Sequence, residues 1–492
     1  MALLAPVAHA LTPDQTAAIT TGDTDARITA LNRIAAEADP TLPAFLRALL
    51  DGEVKTPDGE EVINNNRMRG ALEAALGALK LVSPDAKVRT EALDELRKQS
   101  LEEAQLPLIE KAYAAETDAA LKSRLELMRA TILITASDPA KRLSAAQSLA
   151  GSSEPAVKSL IQERLAPGAE TDNAVRGALM TARAAVEGKL AWGERLGVVF
   201  TGVSLGSILL LVALGLAITY GLMGVINMAH GELMMIGAYA TYLVQNLFRQ
   251  FLPGLFDWYI VLAIPASFAV AALVGAVLER TVIRWLYGRP LETLLATWGI
   301  SLVLMQGVRT LFGAQNVAVE NPSWLSGGVQ VMSNLILPYN RLAIIAFAFL
   351  VLGGVTLMIN RTRLGLFVRG VTQNRRMAAC VGINTARIDT YAFSLGAGIA
   401  GLAGCALSQV GNVGPDLGQS YIVDAFMVVV TGGVGQLAGT VYAGLGLGIL
   451  NKFLEGFAGA VLAKIMVLVC IVVFIQKRPQ GLFAMKGRSA EA

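Results

Sequence analysis

Charge is what this sequence has least of: 16% of its 492 residues are Asp, Glu, Lys or Arg, while 54% are hydrophobic. A soluble globular chain is nearer one-quarter charged, so a large part of this one has no water-facing surface. Histidine stops at two, His9 and His230, and no His-Glu-x-x-His occurs, which argues against an intramembrane zinc enzyme. No Gly-x-x-x-x-Gly-Lys-Ser/Thr run is present, so no phosphate-cradling loop and no intrinsic nucleotide site is expected. Cysteine stops at three, Cys380, Cys405 and Cys470, and a first half without any cannot be stapled by disulfides. No cofactor and no metal are implied.

The charge that remains is unevenly spread. Residues 1–195 hold 23 Lys and Arg against 28 Asp and Glu, net −5; residues 196–492 hold 18 against 10, net +8. The first part reads as a water-soluble domain and the second as an apolar membrane domain with basic loops. Those basic residues flank apolar runs, the pattern that sets orientation in a bilayer, so nucleic acid is not the expected partner. At the start, Ala8-His9-Ala10 has the small-x-small form of a signal-peptidase site behind a short apolar stretch. Residues 1–10 are therefore read as the remnant of a signal peptide whose basic beginning is missing.

Over residues 11–190 apolar positions recur at three and four, as in Ile28, Leu31, Ile34 and Ala35, the period of a helix. Three stretches look alike: Thr24–Leu50, Pro84–Ala115 and Asp138–Leu165. Each opens on an acidic cap, runs through an Ala/Leu helix, breaks and resumes. This predicts a HEAT-like domain of stacked helix pairs, with a hairpin-like turn at Val54–Val62 around Pro57-Asp58-Gly59. Its carboxylates alternate with Lys and Arg at helical spacing, the pattern of solvated faces, and no catalytic constellation is visible.

Residues 196–476 carry apolar runs close to the roughly 20 residues that cross about 30 Å of hydrocarbon. Nine are placed at Val198–Thr219, Val225–Leu247, Ile260–Leu278, Leu294–Phe312, Leu342–Ile359, Tyr391–Val410, Ile422–Leu437, Val441–Leu454 and Val461–Ile475, so the expected fold is all-α, a polytopic bundle of eight or nine spans with broken helices behind a soluble helical domain. Of the 18 basic residues, 13 fall in the 279–290 loop, the 360–388 loop and the tail from 477 to 492. Nine spans put all three on one face, the cytoplasm by the positive-inside rule, which leaves residues 11–190 outside.

Two segments are polar and glycine-rich where lipid-facing helices would not be. One runs from Tyr220 through Asn227 and His230 to Glu232; the other runs from Val430 through Thr431 and Gln436 to Gly439. Such groups at membrane depth must face protein or a wet cavity, and broken helices line the sites of many transporters. Asn227, His230, Glu232, Thr431 and Gln436 are therefore candidate translocation residues, or hydrogen bonds that only hold the bundle together. The 360–388 loop predicts a short helix over 372–382 with Met377, Ala378 and Val381 on one side, Asn374 and Arg375 on the other, and Gly382 as its stop. With Arg376 and Ala379 it suits docking into a groove on an ATPase; the alternative is an orientation signal alone.

From Leu205 onward the chain resembles the branched-chain amino acid permease family of ABC importers. The residues that carry this are Tyr220-Gly221, Ile226-Asn227-Met228-Ala229-His230-Gly231-Glu232, Gly237-Ala238-Tyr239, Arg363-Leu364-Gly365, Ala378-Ala379 with Gly382-Ile383-Asn384, the Gly/Ala run from Ser394, and Gly432-Gly433-x-Gly435. The resemblance implies a second homologous permease subunit, two cytoplasmic ATPases, a periplasmic substrate-binding protein, and residence in the lipid of the inner membrane. Typical members begin almost at the first span. The 190-residue extension resembles that of the urea-transporter permease subunit of the same family, so urea or a short amide is the expected substrate, with branched-chain or other amino acids as the alternative. A passive urea or amide channel and a membrane-anchored scaffold are the readings from other classes; the docking-type loop speaks against the first and the buried polar segments against the second.

Overall fold

The computed structural model describes residues 12–37, 42–54, 62, 64–81, 83, 85–96 and 106–483. The signal-like first ten residues, the turn at Pro57-Asp58-Gly59 and the basic tail beyond 483 lie outside them. The chain divides into two compact units, Met1–Trp192 and Gly193–Ala492.

The regular elements among the described residues of the first unit are all helices: α1 (Pro13–Thr20), α2 (Thr24–Glu37), α3 (Leu42–Leu50), α4 (Asn66–Lys80), α5 (Ala86–Leu96), α6 (Leu106–Ala115), α7 (Ala119–Leu133), α8 (Pro139–Leu149), α9 (Pro155–Arg164) and the start of α10 (Asn173–Met223). The three stretches read as helix pairs are α2–α3, α5–α6 and α8–α9. Each pair is followed by a third helix, so the unit of repetition is three helices and not two. One device marks each repeat. Arg27 on α2 donates to Ile19 O and to Asn64 Oδ1, both at 2.8 Å. Arg89 on α5 donates to both oxygens of Glu116, at 2.8 and 3.1 Å. Arg142 on α8 does the same to Glu170, at 2.9 Å twice. Glu116 and Glu170 also accept the N–H groups of the next two residues, and Asp118 and Asp172 then cap the third helix. A forked, planar guanidinium matches a carboxylate in this bidentate way.

Both carboxylates are held below the usual carboxylate range, first by the hydrogen bonds from the guanidinium, against the opposing effect of burial. A group whose pKa is depressed on folding contributes stability that is whole above its unfolded pKa, about 4.3 for Glu, and is lost as pH falls through the folded value. Thermal unfolding of the full chain in detergent should therefore show its helical signal losing stability below about pH 4, and the Glu116→Gln Glu170→Gln variant should respond less to pH over that window. Identical pH profiles would show that the clamps do not contribute.

The second unit continues α10 and adds α11 (His230–Phe251), α12 (Tyr259–Thr281), α13 (Pro290–Phe312), a hairpin of β1 (Gly328–Met332) and β2 (Leu335–Pro338), α14 (Tyr339–Arg361), α15 (Arg363–Gln373), α16 (Arg375–Cys380), α17 (Thr385–Ser408), α18 (Leu417–Gly432) and α19 (Leu437–Lys477). Among the described residues, six helices are long and apolar enough to cross a membrane: α10, α12, α13, α14, α17 and α19. The polytopic all-α reading stands. α11 is polar at its start and keeps 13 of its 22 residues buried, so it needs little lipid-facing surface. α18 has 16 residues and ends at Gly432, short of the expected Leu437. The last two expected spans, Val441–Leu454 and Val461–Ile475, lie on either side of a break in α19 at Gly459, whose φ of 78° is costly for any other residue. The hairpin between α13 and α14 was not expected; it pairs Gly328 with Pro338, Val329 with Leu337 and Gln330 with Ile336.

The centre of this unit is α11, α12 and α17 packed on one another. Glycine makes the packing close. A Cβ on Gly237 would lie 2.3 Å from the backbone of Gly401, and one on Gly231 2.3 Å from Gly418 O. At α11–α17 and α11–α18 the helices thus touch backbone to backbone, the small-residue packing that replaces hydrophobic burial where lipid is the solvent.

Candidate translocation site and docking loop

α10 ends at Met223, and the chain does not resume a helix until His230. Gly224, with φ of 64°, makes the break. Residues 224–227 have no regular structure, so the expected span from Val225 begins five residues late. Asn227, His230 and Glu232 flank this break and are all buried, at 1%, 0% and 1% exposure. Their side chains diverge. Asn227 Oδ1 accepts from Ala229 N at 3.0 Å and shapes the turn into α11. His230 Nε2 lies 3.1 Å from Val212 O on α10; facing a carbonyl, that nitrogen carries the proton. Glu232 Oε1 accepts from Ser301 Oγ on α13 at 2.9 Å. Its partner is thus Ser301 and none of the other candidate residues His230, Asn227, Thr431 and Gln436.

Sequence reasoning missed Ser301, and with it a stripe. Thr293, Thr297 and Ser301 stand four apart on the buried face of α13. Thr297 Oγ1 accepts Met228 N at 3.1 Å, so the stripe runs beside the broken segment and ends on Glu232. Hydroxyls at i, i+4 and i+8 in an otherwise apolar helix were the available signal.

Several buried polar atoms here have no hydrogen-bond partner: Asn227 Nδ2, His230 Nδ1, Glu232 Oε2, Tyr239 Oη and Thr431 Oγ1. Buried polar groups are nearly always paired, so five orphans in one bundle call for a ligand, water or a moving partner. Tyr239 packs its ring on Phe312 at 4.7 Å between centroids. The second polar segment spans the end of α18 and the start of α19, and between them Gly433 and Gly435 take φ of 101° and 78°. It meets the first at Gly221, where a Cβ would come within 2.7 Å of Gly435 Cα. Thr431 is buried, and its carbonyl accepts Leu482 N at 2.8 Å, while Gln436 is half-buried and precedes α19. The two segments adjoin; their polar side chains are not bonded to each other.

The 360–388 loop holds α15 and the short α16. Asn374 caps α16, its Oδ1 accepting Met377 N at 3.0 Å, and Gly382 ends the turn with φ of 90°. One expectation fails here. Ala378 does not share the outer face: it is buried against Val368, Val371 and Ile388. In a helix of six residues successive side chains cannot be sorted by period, and the cluster beneath decided the facing. Arg375 stays partly exposed but pairs with the buried Asp389. The outer face is Arg376, Met377, Ala379 and Val381, with Met377 61% and Val381 70% exposed.

The chain belongs to the family described as branched-chain amino acid transport system / permease component, which matches residues 198–475. The high-affinity branched-chain amino acid transport system permease protein BraD of Pseudomonas aeruginosa is 30% identical over 287 residues, 57% of this chain and 93% of that protein. LivH of Escherichia coli, a permease protein of the same description, is 29% identical over 290 residues, 58% and 93% of the two chains. The ribose import permease protein RbsC of Escherichia coli is 28% identical over 203 residues, 39% of this chain and 60% of that one. No solved structure matches. The protein is thus a membrane transport component of the ABC permease class and not an enzyme.

Proposed function

We propose that the chain forms the path for urea or a short amide in an ABC importer, with a second homologous permease subunit, two cytoplasmic ATPases bound at α16, and a periplasmic binding protein delivering substrate. The observation that carries this reading is the orphaned polar set around the α10–α11 break. It offers acceptors at Glu232 Oε2 and Tyr239 Oη and a donor at Asn227 Nδ2. Among the described residues no Lys or Arg forms an ion pair with Glu232. Urea has one carbonyl and four N–H donors and is neutral, so such a set suits it. A zwitterionic amino acid would want a cation for its carboxylate. The relatives' names favour the second reading, branched-chain amino acids, which the same fold could carry with a different wall. Uptake of labelled urea and labelled leucine by cells expressing the full complex separates them: urea accumulation with leucine at background is expected. The reverse result would replace the substrate and leave the importer standing.

In this reading residues 11–190 lie in the periplasm and the C-terminus in the cytoplasm of an inner-membrane protein. Cys380 is exposed on α16 and serves as its own reporter. With Cys405 and Cys470 replaced by Ala and Ser159, exposed on α9, replaced by Cys, an impermeant thiol reagent should label position 159 in intact cells. Cys380 should label only after permeabilisation, and the inverse pattern would turn the topology over.

A further inference from the structure

Arg375 on α16, its side chain 43% exposed, reaches two buried carboxylates by way of contacts that the docking surface does not need. Arg375 Nη1 donates to Asp389 Oδ1 at 3.3 Å, and Nη2 is bonded to Oδ2 of the same carboxylate, in the first turns of α17. Its guanidinium carbon lies 5.1 Å from the ring centroid of Tyr287, in the link between α12 and α13. The Tyr287 hydroxyl donates to Glu279 Oε1 at 2.9 Å, near the C-terminal end of α12, and stands 3.2 Å from Met223 Sδ. Glu279, fully buried, also accepts from Thr390 Oγ1 at 2.5 Å and lies 3.6 Å from Arg284 Nη2. Met223 is the last residue of α10, directly before Gly224 and the broken segment.

We infer that Arg375, Asp389, Tyr287 and Glu279 form the joint that passes movement of the docking helix to α12, α17 and the hinge at Met223–Gly224, with Tyr287 as its centre. The inference rests on the reading of α16 as the ATPase-docking helix. Three features distinguish a joint from a local brace. The ion pair is bidentate and Asp389 is buried, so α16 cannot shift without dragging α17 or breaking the pair, and leaving a buried charge unpaired is costly. The Tyr287 ring takes the cation on its face while its hydroxyl reaches Glu279, so one rigid side chain spans the distance from α16 to α12. The same hydroxyl touches the residue at which α10 stops, and a left-handed glycine beside it supplies the hinge. A brace for α16 alone would need only the apolar seat of Ala378 on Val368, Val371 and Ile388.

The test uses the whole complex in liposomes, with Cys380, Cys405 and Cys470 replaced by Ala and a single cysteine at Ile226 in the broken segment. Labelling of that cysteine is followed with and without a non-hydrolysable ATP analogue, and ATPase capture by the chain is measured in parallel. In the parent complex nucleotide should change the labelling rate by about fivefold, and Tyr287→Phe and Arg375→Lys should each abolish most of that change while capturing ATPase normally. Tyr287→Phe keeps the ring over the cation and loses only the hydroxyl link; Arg375→Lys keeps the charge and loses the fork. Because both act on one joint, the double variant should be no worse than either single one. A full nucleotide response in both variants overturns the inference, and so does a parent complex whose segment ignores nucleotide. Normal ATPase capture by Arg376→Glu Ala379→Asp would instead remove the docking surface, and the joint with it.

Discussion

Arg376→Glu combined with Ala379→Asp is expected to leave the chain inserted in the membrane and to strip it of its ATPases. Both side chains stand on the outer face of α16, next to Met377 and Val381, so neither change disturbs the seat of the helix. A groove that accepts two apolar side chains and an arginine would have to desolvate two carboxylates. Losing a desolvated contact of this kind costs roughly 2–5 kcal/mol, which is a loss of about 30-fold or more in affinity. Ala378→Asp should fail differently, because that position is packed against Val368, Val371 and Ile388 and a carboxylate there attacks the fold of the loop itself. Co-purification of the ATPase with each variant, beside the amount of chain in the membrane fraction, makes the comparison. An outer-face variant that retains its ATPase would reduce the loop to an orientation signal.

The second large effect is expected at Glu232. Glu232→Gln preserves the shape, keeps an acceptor for Ser301 and adds a donor, so partial transport should survive. Glu232→Leu removes the acceptor and leaves the Ser301 hydroxyl without it inside the bundle, where an unmade hydrogen bond costs about 1–3 kcal/mol. Transport should then fall to background while the chain still inserts. Ser301→Ala alone should be mild, since it frees Glu232 to bond elsewhere, and its effect should vanish in the Glu232→Leu background. Equal transport by the Gln and Leu variants would take Glu232 off the path. Loss of the chain from the membrane in both would assign it to holding the bundle.

Local signals explain what could be read before the fold was seen. The helix pairs of the first unit were visible because their caps are: Asp138 and Pro139 open α8 as sequence rules require. The third helix of each repeat was passed over. Yet Glu116-Thr117-Asp118 and Glu170-Thr171-Asp172 are the same three residues at the same place in two repeats, and that string is the acceptor half of the arginine clamp. Spacing alone could not supply its donors, which lie 27 and 28 residues away. In the membrane unit the polar, glycine-rich run pointed to broken helices, but the span drawn from Val225 ran through the break that Gly224 opens before His230. Ser301, 69 residues from Glu232, was not, since no rule of period or composition links two helices that meet only in the bundle. The facing of α16 was set by the small cluster under it, and six residues are too few for a hydrophobic stripe to overrule that.

The glycine contacts of α11 have a mechanical consequence. Where Gly237 meets Gly401 and Gly231 meets Gly418, no side chain lies between the two backbones to act as a cushion. Rotamer changes, which let ordinary helix interfaces creep by fractions of an ångström, are not available at such a contact. The assembly of α11, α17 and α18 must therefore behave as a stiff plate, with compliance confined to its margins at Gly224 and at Gly433 and Gly435. A larger residue at Gly237 or Gly231 would do more than lower stability. It would insert a spring into the plate, and force applied at one edge would be dissipated before it reached the other.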